Sequence, residues 1–302
     1  MSTAGSVAGL RIESDFDLHS LAAGNARDPG LGCVAIRRVT REELTRRASA
    51  DSKAIRLNPG QPGVFLVTAA NEILAAPAAQ ATDRSILSFL FGPCFGAIAY
   101  LNHVLPLHAS AIETVHGCVS FIGRSGAGKS TMVAALRKRG HTIHSDDVCM
   151  LRTMSNGDLM SWPGIRWMRL TDDAALALDY VEATSPRTGR KHTLMLDTER
   201  IPAAPSIPRA IYALEESASG EAASITRLRG ARAAELIIAN AYRPHLAHEL
   251  GAWPQAVTCC VAVADRVPVF RLRRPRDFTR MAATLDMLEA HIAAQVADRG
   301  RA

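Results

Sequence analysis

The sequence predicts an α/β fold in which a central mixed sheet is flanked by helices and preceded by a small N-terminal α+β domain. Three observations favour this fold. Apolar runs of strand length alternate with segments of helical character. A glycine-rich motif stands between one such run and a helix. The 302 residues, 48% hydrophobic and 21% charged, have a globular composition and suffice for one large or two modest domains.

Residues 1–80 are predicted to form the small N-terminal domain. Apolar runs at 34–36 and 64–67 indicate short strands, and Thr40 is placed to cap a helix. The sequence Asn-Pro-Gly-Gln-Pro-Gly at 58–63 is typical of a turn. This part carries no recognisable chemistry, so we expect an accessory domain, with residues 81–302 forming the second domain.

A long helix is predicted over 82–104, with a kink at Pro93. Residues 85–112 contain no Asp, Glu, Lys or Arg, and this uncharged segment is long enough to span a bilayer. Pro93, Asn102 and His103 interrupt this stretch, and they favour a buried helix that leads into a core strand. We therefore expect no membrane association.

The middle of the chain alternates strands with one helix. Strands are predicted at 107–112, 118–122, 141–145, 148–152 and 159–162. The first two are expected to form a hairpin, and the last two a second one around Ser-Asn-Gly-Asp. The helix is predicted over 129–139 and ends at Gly140.

The C-terminal part is predicted to hold strands at 210–214, 257–263 and 269–272, and helices at 231–240 and from Asp277 onward. Cys259 and Cys260 fall in the second of these strands, where core packing is the expected role. The arginines within 266–280 alternate with apolar residues, as in a strand with one solvated face.

The motif that carries chemistry is GRSGAGKS, which fits G-x-x-x-x-G-K-[ST] at every fixed position. Glycines let the backbone curl so that its N–H groups face phosphate oxygens, and the following helix adds its positive end. Lys129 is expected to contact the β- and γ-phosphates, and the Ser130 hydroxyl to ligate Mg²⁺. The predicted nucleotide-binding residues are Gly123, Arg124, Ser125, Gly126, Ala127, Gly128, Lys129, Ser130 and Thr131.

Two adjacent carboxylates, Asp146 and Asp147, follow the next predicted strand. One can hold Mg²⁺ while the other accepts a proton from an attacking hydroxyl. A lone Asp-Asp pair is also found in solvated turns and helix caps. The phosphate-binding loop nearby favours the functional interpretation, because such a loop requires a metal carboxylate.

Other candidate residues are individually less specific. His108 lies among apolar residues on the strand paired with that of the loop, where a histidine is often a core residue. Arg166, Arg169 and Lys191 could clamp a transferring phosphoryl group, or they could be ordinary surface side chains.

Residues 107–151 read LHASAIETVHGCVSFIGRSGAGKSTMVAALRKRGHTIHSDDVCML and resemble the HPr kinase/phosphorylase family. The shared pattern is a histidine on a strand, a loop ending in Gly-Lys-Ser, a helix, Arg-Gly-His, and a strand ending in Asp-Asp. Trp162-Pro163-Gly164, followed by Arg166 and Arg169, is similar to the shorter members of the superfamily. Those include kinases found with lasso-peptide biosynthesis genes, which phosphorylate a serine at the precursor's C-terminus.

The resemblance implies a P-loop kinase core and an ATP- and Mg²⁺-dependent serine kinase. It makes Asp146 the catalytic base, places Asp147 beside the metal with Ser130, and adds His108 and Lys129 as catalytic residues. The implied acceptor is the C-terminal serine of a lasso-type peptide. The alternatives are a small hydroxyl compound such as free serine, or a nucleotide-dependent switch or ATPase in which the carboxylate positions water.

Net charge and cysteine content indicate the kind of binding partner and the cellular location that we expect. The formal charge of +6 suits an anionic partner such as a nucleotide. With only 5% aromatic residues and no aromatic-rich basic stripe, we expect no nucleic-acid binding. Six cysteines without metal-finger spacing indicate a reducing compartment, so a cytoplasmic location is expected. Homo-oligomerisation stays open.

Overall fold

The N-terminal sheet contains three strands that precede a helix in the sequence and three strands that follow it. The computed structural model describes residues 3–7, 9–18, 32–69, 71–180, 187–188, 191–196, 202, 204–218 and 221–299. The first sheet contains β1 (Thr3–Val7), β2 (Leu10–Ser14), β3 (Cys33–Arg38), β4 (Ile55–Leu57), β5 (Gly63–Thr68) and β6 (Glu72–Pro77). Its order is β1-β2-β3-β6-β5-β4, with β3 parallel to both neighbours and the other pairs antiparallel.

Helix α1 (Arg41–Ala50) covers one face of this sheet. Thr40 caps it as expected, because its hydroxyl accepts a hydrogen bond from the Glu43 amide. The opposite face packs on a core that also contains Phe95, Trp162 and Tyr242 from the rest of the chain. The N-terminal sheet and the remaining structure therefore share one hydrophobic core, and the domain division near residue 80 stays a prediction.

The helix predicted over 82–104 is confirmed, with a π-helical turn where a simple kink was expected. It consists of α2 (Asp83–Phe89), the π-helical turn Leu90–Cys94 and α3 (Phe95–Leu101). Pro93 lies in the π-helical turn, where the lost proline N–H requires a local departure from α-helical bonding. By length and composition the segment Asp83–Leu101 could cross a membrane, but 67% of it is buried among other elements.

A second six-stranded sheet forms the centre of the remaining structure. It contains β8 (Ala109–Thr114), β9 (Gly117–Ile122), β10 (Thr142–Ser145), β16 (Pro208–Glu216), β17 (Ser224–Leu228) and β18 (Val269–Arg274), in the order β10-β8-β9-β16-β18-β17. β16 is parallel to β9 and β18, and β8 is antiparallel to both β9 and β10. It follows that β9, β10, β16 and β18 all end at the same edge.

Helices cover both faces of the central sheet. On one face pack α4 (Lys129–Lys138), α5 (Asp172–Ala177) and α9 (Met281–Arg299), and on the other α6 (Ala231–Ala239) and α8 (Trp253–Arg266). The short helix α7 (Pro244–Glu249) joins α6 to α8. The described residues therefore form a mixed sheet flanked by helices, as the sequence predicts.

Two three-stranded sheets complete the described structure. One has the order β12-β11-β7, from β7 (Leu105–Leu107), β11 (Cys149–Thr153) and β12 (Leu159–Trp162). The other has the order β13-β15-β14, from β13 (Trp167–Thr171), β14 (Arg187–Thr188) and β15 (Lys191–Met195). Both predicted hairpins, β8–β9 and β11–β12, are present.

The strand predicted at 257–263 is wrong, because these residues belong to helix α8. The buried positions are Ala256, Cys260 and Val263, which recur at helical spacing, while Val261 is exposed. A short apolar run has no periodicity of its own that separates a strand from a buried helix. Pro254 in the first turn of α8 is the sequence feature that signals the helix.

Candidate active site

The glycine-rich loop connects β9 to α4 at the edge where the parallel strands end. Gly123, Gly126 and Gly128 have φ of 143°, 82° and 88°, which L side chains rarely adopt. A β-carbon at Gly128 would lie 2.2 Å from a guanidinium nitrogen of Arg274, so a side chain is excluded there on two grounds. The three glycines thus give the loop a backbone path that other residues rarely adopt, directly before α4, and its use as an anion site stays a prediction.

The Lys129 ammonium group is held inside the loop. Its Nζ donates to the carbonyl oxygens of Gly123 at 2.8 Å and Arg124 at 3.3 Å. The residue is only 6% exposed, and burial lowers the pKa of its amine. The charges of Asp147 and Asp146 oppose this shift, and phosphate oxygens at the loop would add further negative charge.

Two side chains from distant segments of the chain form hydrogen bonds with the loop backbone. Asn240, at the end of α6, accepts a hydrogen bond from the Gly123 amide at 2.9 Å. Arg274, at the end of β18, donates through Nη2 to the Ala127 carbonyl at 3.0 Å. Arg274 is 5% exposed, so the solvated-face interpretation of this arginine-rich strand is wrong at this position. Nothing in the local sequence of Asn240 marks its role, since the contact spans 117 residues.

Asp146 is buried and both of its carboxylate oxygens are bonded. Oδ1 accepts from the Ser110 hydroxyl at 2.6 Å, and Oδ2 accepts from the Arg169 amide at 2.9 Å. Burial raises the pKa of Asp146, and the hydrogen bonds from Ser110, Arg169 and Ser130 oppose this shift. Asp146 is therefore a carboxylate held in place by the hydrogen bonds from Ser110 and the Arg169 amide. Sequence reasoning did not identify Ser110.

Asp147 has a different environment although it is the next residue. Its side chain is 39% exposed, and its φ of 72° is in the left-handed region. For a residue other than glycine, that conformation costs free energy and is held by surrounding contacts. Asp147 lines the same cavity as Lys129 and Ser130.

His108 supports this conformation of Asp147. Its predicted place within a strand over 107–112 is wrong, because it lies between β7 and β8. Its Nδ1 is 3.0 Å from the Asp147 carbonyl oxygen and 3.4 Å from its Oδ1. A carbonyl oxygen only accepts, so Nδ1 carries the proton and Nε2 has a free lone pair. Burial and the nearby Lys129 charge lower the pKa of His108, and Asp147 opposes this effect.

Three cavities meet at Asp147. The Lys129 cavity, about 360 Å³, is lined by residues that include Lys129, Ser130, Thr131, Arg169, Lys191 and Phe278. The loop cavity, about 1030 Å³, extends along residues 123–127 to Glu216 and Tyr242. The Trp167 cleft, about 300 Å³, is lined by Phe91, Pro93, Met150, Trp167, Arg169 and Arg243 among others. Asp147 borders all three.

The predicted clamp residues occupy different positions. Arg169 borders both the Lys129 cavity and the Trp167 cleft, and its buried Nε has no hydrogen-bond partner among the described residues. Lys191 borders the Lys129 cavity. Arg166 lies outside the three cavities.

The donor set fits a triphosphate with Mg²⁺. Within the described ranges, no three His, Cys, Asp or Glu side chains are grouped to hold a metal by themselves. A phosphate-bound Mg²⁺ needs only one or two protein oxygens, since phosphates and water supply the remainder. The Ser130 hydroxyl, next to the loop lysine, and the Asp146 carboxylate provide such oxygens.

Comparison with known proteins finds similarity among solved structures. No family model matches the sequence, and no curated protein matches it. Among solved structures, the chain is similar to the Hpr(Ser) kinase/phosphatase from Coxiella burnetii, with 12% sequence identity and a TM-score of 0.34. The match covers 63% of this chain and 98% of that one. A similarity at this level assigns no activity to the chain.

Proposed function

We propose that the protein is an ATP- and Mg²⁺-dependent kinase that transfers the γ-phosphoryl group to a serine hydroxyl. The observation that carries this proposal is the position of Asp147, which borders both the Lys129 cavity and the Trp167 cleft. A carboxylate between a phosphate-binding loop and a second cavity can accept a proton from a hydroxyl that attacks a bound phosphoryl group.

We further propose that the two aspartates exchange the roles that the resemblance implies. Asp146 has both oxygens hydrogen-bonded, and the Ser130 hydroxyl lowers its pKa, as suits a carboxylate that positions the metal beside Ser130. Asp147 is half-exposed and free to accept a proton from an acceptor. His108 then acts as a positioning residue, because its Nδ1–H bond to the Asp147 carbonyl holds the left-handed backbone.

In this mechanism the chain mainly positions groups and neutralises charge. The loop amides and Lys129 would hold the phosphates, while Ser130 and Asp146 would hold Mg²⁺, which neutralises charge on the phosphate oxygens when bound. Asp147 would take the proton from the acceptor hydroxyl. Arg169 is placed to face the transferring group, because it borders both cavities.

The proposed acceptor is a peptide serine, with the C-terminal serine of a lasso-type precursor as the leading candidate from the sequence resemblance. The Trp167 cleft supports an acceptor with an apolar part, since Phe91, Met150 and Trp167 line it. Its volume of about 300 Å³ is at the lower end for ligand sites, which also suits a small hydroxyl compound such as free serine.

The test is incubation with ATP, Mg²⁺ and a panel of serine-terminated peptides, with free serine as a separate arm, followed by mass analysis. An added phosphate on an acceptor, lost in Asp147→Asn, is the expected result. ATP hydrolysis without any phosphorylated acceptor would support the switch or ATPase interpretation instead. Retained transfer in Asp147→Asn would reject the proposed base.

A further inference from the structure

We propose that the aromatic ring of Phe278 is the platform on which the base of the bound nucleotide stacks. This inference rests on the proposed nucleotide site and adds a residue for the part of the ligand that the loop does not contact. Phe278 lies in a 3-10 turn, Phe278–Arg280, directly after β18. Its side chain lines the Lys129 cavity and is 37% exposed, one of the few exposed large apolar residues in the described ranges.

The order of the strands places Asp147 and Phe278 at opposite ends of the Lys129 cavity. β10 and β18 both run parallel to β9 and lie on opposite sides of it, separated from it by β8 and β16 respectively. Asp147 follows β10 and Phe278 follows β18, so the two residues lie at the same sheet edge on opposite sides of the loop. A triphosphate on the loop, with its γ-phosphoryl group toward Asp147, therefore extends its nucleoside toward Phe278.

The residues between these ends agree with this direction. Lys129, Ser130 and Thr131 are consecutive and all line the same cavity as Phe278. The turn that carries Phe278 is fixed, because Asp277 caps it by accepting from the Thr279 amide at 2.8 Å. Arg274, at the end of the same strand, bonds to the loop at Ala127, which joins the Phe278 segment to the phosphate site.

The chemistry of the ring suits a nucleobase. An exposed aromatic face has a large apolar area and little conformational freedom, and every base offers a π-face to stack on it. Such stacking tolerates any base. The ligand class is therefore a nucleoside triphosphate, and Phe278 supplies affinity for the base without selecting among bases.

The experiment compares two probes by calorimetry on the full chain with Mg²⁺, namely ATP and inorganic tripolyphosphate. Tripolyphosphate reports on the loop alone, whereas ATP reports on the loop and the base. Phe278→Ala is expected to weaken ATP binding about tenfold and to leave tripolyphosphate binding unchanged. Phe278→Tyr keeps the ring and should bind ATP as the unmodified protein does. Phe278→Leu keeps apolar bulk without a ring and should resemble Phe278→Ala.

Val115→Ala is the matched control. Val115 is an apolar residue, 95% exposed, at the β8–β9 turn on the edge opposite the loop, and its loss should change neither probe. Two results would overturn the inference while the proposed nucleotide site stands. One is unchanged ATP binding in Phe278→Ala, and the other is an equal loss of both probes. If the unmodified protein binds neither probe, the proposed function and the inference both fail.

Discussion

The phosphate-binding loop and the Trp167 cleft differ in how the chain builds them. The loop is nine consecutive residues, and its shape depends on backbone conformations that the glycines of the motif can adopt. The cleft is assembled from the N-terminal sheet, the π-helical turn, the residues after β10, strand β13 and Tyr242–Arg243. A loop specified by local sequence thus lies beside a cleft that exists only after the distant segments pack together.

Asp146 and Asp147 show the same contrast within two residues. Of the three cavities, Asp146 borders the Trp167 cleft alone, and its carboxylate is held by Ser110 and the Arg169 amide. Asp147 faces the cavities because its φ is 72° and His108 bonds to its carbonyl oxygen. Identical side chains acquire different chemistry when one is buried with all its oxygens bonded and the other is open to ligands.

The largest expected effect is on the loop side of the comparison. Lys129→Ala removes the ammonium group that the loop encloses and should lower kcat/KM for ATP about a thousandfold. Steady-state ATP turnover measures this change. Lys138→Ala, an exposed lysine at the end of the same helix, is the control and should have normal turnover. Comparable rates in the two variants would remove Lys129 from the mechanism.

The next effect separates the two aspartates. Asp147→Asn should lower kcat for phosphotransfer about a hundredfold with ATP affinity unchanged, because a proton acceptor is lost but the loop is intact. Asp146→Asn should instead raise the Mg²⁺ concentration needed for half-maximal activity. Rapid-quench transfer assays at several Mg²⁺ concentrations measure both. The reverse pattern would restore Asp146 as the base.

A smaller effect, on ATP affinity, is expected when the hydrogen bond between Arg274 and the loop is removed. Arg274→Met removes the hydrogen bond to the Ala127 carbonyl and should raise the Kd for ATP about tenfold. Arg271→Met is the matched control on the same strand, since Arg271 is half-exposed and pairs with Glu215, and it should bind ATP normally. Equal affinity in both variants would show that this hydrogen bond does not shape the loop.

The smallest expected effect is a pKa change at His108, followed by NMR titration. Its pKa should lie below the ordinary value of about 6.5, so the ring is neutral at pH 7 and gains its proton only as the pH falls below that value. Lys129→Ala should raise this pKa, because a repelling charge is removed. Asp147→Asn should lower it further, because an attracting carboxylate is removed. Shifts in the opposite directions would contradict this arrangement.

Most elements of the central sheet could be predicted, since hairpins and amphipathic helices depend on local pattern. The strand predicted at 257–263 was wrong because the apolar run there has no periodicity that distinguishes a strand from a helix. The packing of α8 determined which of its residues are buried. Asn240 and Ser110 could not be predicted, because each acts through a partner far away in the chain.

The sequence by itself determined the loop, its lysine and serine, and the pair of carboxylates after the next strand. A run of glycines with a lysine specifies its own backbone conformation and its own charge. Tertiary structure alone decided which aspartate is buried, that Arg274 is directed under the loop, and that Phe278 lines the same cavity as Lys129. These properties depend on which groups surround a side chain, and that is fixed only when strands distant in sequence align at one edge of the sheet.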